Sequence, residues 1–213
     1  GSLCGYITLI NYNSSTSHAI VNVDNCYVKN STIQGASSIW AGGLIGYISY
    51  VSISNCYADK DTVVNCGGLI GGFTYSKASN CYVKNSIVTG NDEIGGFCTS
   101  LHLNEYNGAL DNCYVESTIV TSVSASNIYV GGFSGGISCN NKPITNCYVK
   151  SLTIQGNQGS YCGGFAGRIY DKSLIKNCYV TGTADNPTVI KGTTTPSAIT
   201  NVGGFCGQFL GSS

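Results

Sequence analysis

The sequence predicts an all-β protein, a parallel β-solenoid (β-helix) of about six coils, and three observations carry that prediction. The phrase Asn-Cys-Tyr recurs six times, at Asn25-Cys26-Tyr27, Asn55-Cys56-Tyr57, Asn80-Cys81-Tyr82, Asn112-Cys113-Tyr114, Asn146-Cys147-Tyr148 and Asn177-Cys178-Tyr179, so one unit runs 25 to 34 residues. A second phrase, Gly-Gly followed by Leu or Phe, interleaves with it from Gly42, Gly67, Gly95, Gly131, Gly163 and Gly203. Helix formers at helical spacing are missing, and glutamate occurs only at Glu93, Glu105 and Glu116. A unit repeated at this period cannot bury its own apolar face and stacks on its neighbours. Equivalent residues then pair one coil apart, identical side chains form columns, and residues 1–213 form one continuous domain.

Within a unit, short β-prone runs such as Ile53 to Ala58, Thr62 to Val64 and Leu69 to Tyr75 are separated by Gly, Asn and Ser. Val23, Ile53, Ala78, Leu110, Ile144 and Ile175 stand two before the Asn, and Val28, Ala58, Val83, Val115, Val149 and Val180 stand three after it. Both columns are apolar, and their spacing of five breaks strict alternation. That break places the Asn at a corner, where it tolerates a left-handed backbone and can form a hydrogen-bonded ladder. Beyond the corner, period two turns Cys26 and Val28 inward and Tyr27 and Lys29 outward in each coil. The outcome is an external column of Tyr27, Tyr57, Tyr82, Tyr114, Tyr148 and Tyr179.

In the second phrase, the paired glycines supply either backbone angles forbidden to other residues or a close approach by a neighbouring segment. Leu44, Leu69, Phe97, Phe133, Phe165 and Phe205 follow as a bulky core column. A further Gly stands three positions after the second glycine in five units, with Thr99 in its place in the other. A phosphate-cradling loop would need a helix after the glycines, and no helical pattern follows.

The joined pattern, from Gly67-Gly68-Leu69-Ile70-Gly71 through Ala78-Ser79-Asn80-Cys81-Tyr82-Val83 to Thr89-Gly90, resembles the GLUG-motif repeat family over the whole chain. The resemblance implies a repeat that serves as a shaft in large secreted and surface-attached microbial proteins, adhesin-like ones among them, and it brings no catalytic residue. Two departures stand out: longer spacings between Thr99 and Asn112 and between Tyr179 and Gly203, and six cysteines beyond those of the Asn-Cys-Tyr phrase.

Composition narrows the function. Ten basic and ten acidic residues give a formal net charge of zero, and charged residues are only 9% of the chain, which leaves no electrostatic footprint for nucleic acid or an anionic membrane. No apolar run approaches the length of a membrane span. Twelve cysteines without a Cys-x-x-Cys pair fit poorly with zinc or iron–sulfur sites and point to an oxidising compartment. Asn13 and Asn30 open N-glycosylation sequons, in agreement with an extracellular or cell-surface location.

Pairing of sequence neighbours joins Cys4 with Cys26, Cys56 with Cys66, Cys81 with Cys98, Cys113 with Cys139, Cys147 with Cys162 and Cys178 with Cys206. A rival scheme joins Cys66 with Cys81, Cys98 with Cys113 and Cys162 with Cys178; free buried thiols are the third arrangement.

Catalytic chemistry has little to work with. The histidines are His18 and His102, outside both phrases; Asp24 and Asp111 share a column three coils apart; and the close acidic pairs are Asp59 with Asp61 and Asp92 with Glu93. Such acids are explained as surface residues at strand ends, so neither an enzyme nor a cofactor is expected. Ice binding would need flat Thr columns, and a column of Thr32, Thr62, Ser86, Thr118 and Thr153 is broken thereafter. The function expected is a structural shaft of a secreted or cell-surface protein, as an adhesin stalk or filament subunit. The alternative is a carbohydrate-binding solenoid that uses the tyrosine column. Gly1 to Ile7 aligns with Gly42 to Ile48, and the last phrase starts at Gly203, so the chain reads as a piece of a longer array. Its expected partners are other copies or adjoining repeats at uncapped ends, and glycans or cell-surface proteins along the side.

Overall fold

The computed structural model describes residues 2–8, 21–36, 40–103, 108–124, 128–170, 172–192 and 201–211. Asn13, His18 and Glu105 lie outside the described residues, as do parts of the two stretched spacings. The described residues form 29 strands and no helix. Every strand pairs in parallel with its counterpart one coil away, which makes the chain a parallel β-solenoid. Five sheets run along it: one of seven strands, three of six and one of four.

One coil illustrates the layout. It passes through Lys77–Ser79, Tyr82–Lys84, Ile87–Gly90, Ile94–Gly95 and Cys98–His102, each strand belonging to a different sheet. The corner before Tyr82 is made by Asn80, with φ 54°, and Asn25, Asn55, Asn112, Asn146 and Asn177 hold the equivalent angle. A second left-handed corner follows at Asn30, Lys60, Asn85, Ser117 and Ser151, which the sequence does not announce because the residue type varies.

The side chains of the Asn corners form the expected ladder, with interruptions. Asn112 Nδ2 donates to Asn80 Oδ1 at 2.8 Å, Asn80 to Asn55 at 3.4 Å, and Asn55 to the Asp24 carboxylate at 2.8 Å. Asn177 donates to Asn146, whose amide turns to Asp111 instead of Asn112.

Inside, the two apolar columns flanking the Asn are buried through the middle coils, as are the cysteines between them. Phe97, Phe133, Phe165 and Phe205 stack with ring centroids 4.7, 4.8 and 4.9 Å apart. The paired glycines ahead of these rings serve close approach. A Cβ on Gly132 would lie 2.2 Å from the Gly164 carbonyl oxygen, and one on Gly96 equally close to that of Gly132. Left-handed backbone is not their role, since Gly159 is the one glycine with positive φ among the described residues.

The threonine alignment is corrected by the register. Thr32, Thr62, Ile87, Ile119, Thr153 and Val189 form one outward column. Ser86 and Thr118 belong to a different, inward position shared with Asp61, where they complete the second corner: Asp61 N–H donates to Ser86 Oγ at 3.2 Å and Ser86 N–H to Thr118 Oγ1 at 3.4 Å.

Candidate functional site

The tyrosine column is built by the strands Tyr27–Lys29, Tyr57–Asp59, Tyr82–Lys84, Tyr114–Glu116, Tyr148–Lys150 and Tyr179–Thr181, whose first residues pair in register. Successive ring centroids are 4.9, 4.8, 5.0, 4.8 and 5.2 Å apart, and no two neighbouring rings are tilted by more than 8°. The spacing is that of neighbouring strands. Parallel stacking turns the faces of the interior rings toward each other and leaves their edges to the surroundings. A sugar ring packs on an aromatic face, so this geometry favours self-stacking over a carbohydrate platform. Burial raises the phenol pKa of Tyr82 and Tyr148, which keeps both neutral.

Two residues beyond the tyrosines lies a column the sequence reading did not single out: Lys29, Asp59, Lys84, Glu116 and Lys150, alternating in sign from coil to coil. Lys29 reaches Asp59 at 3.3 Å, and Glu116 receives both Lys84 at 3.2 Å and Lys150 at 2.9 Å. The Lys84 ammonium also stands 5.3 and 5.2 Å from the centroids of Tyr82 and Tyr114. The signal was present in the sequence two positions after each Tyr, but alternation acquires meaning only once register makes those residues neighbours.

The acidic pairs do not converge. Asp59 faces outward; partial burial lifts its pKa, but hydrogen bonds from Asn85 and Lys29 outweigh that and hold it below the usual range. Asp61 is buried on the inside, accepts the Ser31 N–H at 2.7 Å, and has its pKa raised by burial. Asp24 and Asp111 are ladder acceptors: Asp24 accepts from Ser54 and Asn55, which lower its pKa, and Asp111 from Thr145 and Asn146. Glu93 lies over Gly136, where burial and then the neighbouring Asp92 carry its carboxyl up to about 7 against the opposing pull of Arg168. Burial lowers the pKa of His102, whose register partners are Thr74 and Ser138.

A recess between Tyr179, Thr181, Pro187, Thr188, Ile190 and Phe205 has no acid or histidine among its described lining residues. Among the described residues, no group of three or more His, Cys, Asp or Glu could hold a metal ion, and no helix is long and apolar enough to cross a membrane. Asn30 of the second sequon is exposed at its corner.

All twelve cysteines are free thiols, so neither sequence-local pairing scheme is present. The reason is their distribution around the coil. Cys56, Cys81, Cys113 and Cys147 stack above one another in the main core. Cys66 lies in a separate small cluster with Ala41 and Val63, Cys98 and Cys206 are on the seven-stranded sheet, and Cys162 is on the four-stranded one. Several thiols donate to carbonyls two residues away, as Cys56 does to Ser54 at 3.0 Å and Cys66 to Val64 at 2.7 Å.

Residues 158–185 match the family model of the GLUG motif. This stretch is a GLUG motif. It holds the four-stranded-sheet strand Tyr161–Gly163, the glycine phrase from Gly163, and the Asn177-Cys178-Tyr179 corner with the strand that follows. The matched GLUG segment is one unit of six; the other five present the same phrases in register with it, on coils of different length. No curated protein matches the chain.

Proposed function

We propose that this chain is a rigid structural shaft, a segment of a secreted or cell-surface protein such as an adhesin stalk or filament subunit, without catalysis of its own. The observation that carries this reading is the in-register parallel stacking of equivalent strands from coil to coil on all five sheets. Columns of Asn, Cys, Tyr, Phe and alternating charge each link one coil to the next, a pattern that serves stiffness along the axis. The same columns offer a template on which adjoining repeats or other copies stack in register. The carbohydrate-binding alternative draws less support, because the tyrosine faces are engaged with each other. A glycan array separates the two: the shaft reading expects no binding by the chain. Binding that disappears in Tyr82→Ala and Tyr114→Ala would establish the lectin reading instead. Incubation with neutral and acidic polysaccharides, expected to release no sugar, tests the absence of catalysis.

A further inference from the structure

Six of the twelve cysteines occupy one column, a placement independent of any reading of the chain as a shaft. Cys26, Cys56, Cys81, Cys113, Cys147 and Cys178 follow the left-handed Asn corner of successive coils and turn inward. Their register is fixed on the spot: the N–H groups of Tyr57, Tyr82, Tyr114, Tyr148 and Tyr179 donate to the carbonyls of Cys26, Cys56, Cys81, Cys113 and Cys147, one coil back. The thiols lean the same way. Cys56 Sγ reaches the Val23 carbonyl at 3.7 Å, Cys81 Sγ that of Ile53 at 3.8 Å and Cys178 Sγ that of Ile144 at 3.6 Å, each on the preceding coil. Cys26 N–H, in turn, donates to Cys56 Sγ at 3.4 Å. Each thiol from Cys56 to Cys178 also donates to the carbonyl two residues before it, at 3.0 to 3.3 Å, which aims all five the same way along the column. Neighbouring strands are about 4.8 Å apart, and disulfides join Cα atoms about 4.4 to 6.8 Å apart.

Five of the other six cysteines face other residue types across the coil. Cys4 is in register with Ile45, Cys98 with Ile70 and Ser134, Cys162 with Val130 and Val202, and Cys206 with Ala166. Cys66 packs with Ala41 and Val63.

We propose that the Asn-Cys-Tyr cysteines are inter-coil disulfide sites, which an oxidising small disulfide closes between successive coils as Cys26–Cys56, Cys81–Cys113 and Cys147–Cys178. This pairing uses every member of the column and joins residues a full coil apart, in contrast to any pairing of neighbours in sequence. For each bond, one thiolate attacks the small disulfide, forms a mixed disulfide and expels one small thiol. The thiolate of the next coil then attacks the protein sulfur of that mixed disulfide and expels the second small thiol. Two protein thiols are oxidised to one disulfide and one small disulfide is reduced to two thiols, with the protons carried onto the leaving thiols. Cys56, Cys81, Cys113 and Cys147 are fully buried, so the reaction belongs to folding, while the column is still accessible, more than to the closed structure.

The test is to refold the full chain from the reduced, unfolded state in a buffer of oxidised and reduced glutathione, alkylate the remaining thiols, and map the peptides without reduction. The expected result is cross-links between successive column members, with Cys4, Cys66, Cys98, Cys139, Cys162 and Cys206 recovered alkylated. A melting temperature higher than that of the fully reduced chain should accompany it. Cys113→Ser provides a second reading: Cys26–Cys56 and Cys147–Cys178 should persist, and Cys81 should be recovered alkylated. Twelve alkylated thiols, or cross-links joining a column cysteine to one of the other six, would overturn the proposal.

Discussion

The ammonium of Lys84 lies 3.2 Å from the carboxylate of Glu116 on the next coil, and the same carboxylate holds Lys150 from the other side at 2.9 Å. One acid thus clamps three successive coils beside the tyrosine stack. Outward orientation alone would make Lys84→Ala neutral within about 0.5 kcal/mol. The ion pair, worth about 0.2 to 1 kcal/mol, and the approach to two tyrosine rings, worth about 0.5 to 1 kcal/mol at exposed sites, raise the expected loss to about 1 to 2 kcal/mol. Glu116→Lys should cost more, because it sets three like charges in register. Urea unfolding of both variants checks the order, and a Lys84→Ala chain as stable as the parent would show the contacts to be idle.

Asn80 combines a left-handed φ of 54° with side-chain bonds to Asn55 and from Asn112. Asn80→Ala should lose about 2 to 3 kcal/mol: roughly 1 to 2 for the left-handed backbone and about 1 for the ladder. Asn80→Gly relieves the backbone part and should lie between the two. If Ala and Gly prove equally costly in chemical denaturation, backbone angle is not what selects Asn here.

Such columns explain why so much of the fold was legible. Asn, Cys, Tyr and Phe recur at equivalent positions because each stacks on its own kind, so repetition in sequence reports contact in space. Lys60, Ser117 and Ser151 show where that logic stops: they take the left-handed angle at the second corner, yet differ in residue type from Asn30 and Asn85. The threonines misled for a related reason. Thr118 and Thr153 have the same side chain, but one turns inward to cap a corner and the other outward on a strand, a difference of one residue in register. Cysteine pairing was read along the chain, whereas the column sets each thiol beside one a full coil away.

Gly132 and Gly5 should respond to the same change by very different amounts. An added Cβ at Gly132 meets backbone, the Gly164 carbonyl oxygen at 2.2 Å, whereas Gly5 has nothing within 4 Å. Gly132→Ala must push two coils apart and should exceed the roughly 1 to 3 kcal/mol of ordinary overpacking. Gly5→Ala should stay within about 0.5 kcal/mol. Thermal melts of the two variants decide it; equal shifts would mean that the glycine phrase is not selected by close approach.

Phe133 is fully buried between Phe97 and Phe165, with ring centroids 4.7 and 4.8 Å away. Phe133→Ala removes the middle ring and should cost about 3 to 5 kcal/mol. Phe133→Leu, which restores the side chain found at Leu44 and Leu69, should recover most of it. Guanidinium unfolding that finds Leu as damaging as Ala would assign the role to aromatic stacking rather than to filled volume.

Glu93 should make the folded state weaken as pH rises through neutrality. Its carboxyl is carried up to about 7 from an ordinary value of 4.5, first by burial over Gly136 and then by Asp92. The opposing cation, Arg168, is occupied elsewhere: its guanidinium stacks 3.4 Å from the Tyr129 ring centroid and donates to Gln208 and to the Tyr170 hydroxyl. A folded pKa above the unfolded one means that the folded chain holds its proton more tightly. The resulting stability is complete below about pH 4.5 and is lost as pH climbs through about 7. Asp61, also raised by burial, acts in the same direction, whereas Asp24, Asp59 and Glu116 are lowered and lose their contributions on the acid side. Subtracting the parent from Glu93→Gln cancels those other groups, because they are common to both. The variant should match the parent near pH 4 and melt at a higher temperature than the parent at pH 8. A melting difference that is the same at both pH values would mean that the Glu93 carboxyl ionises in the folded chain as it does in the unfolded one.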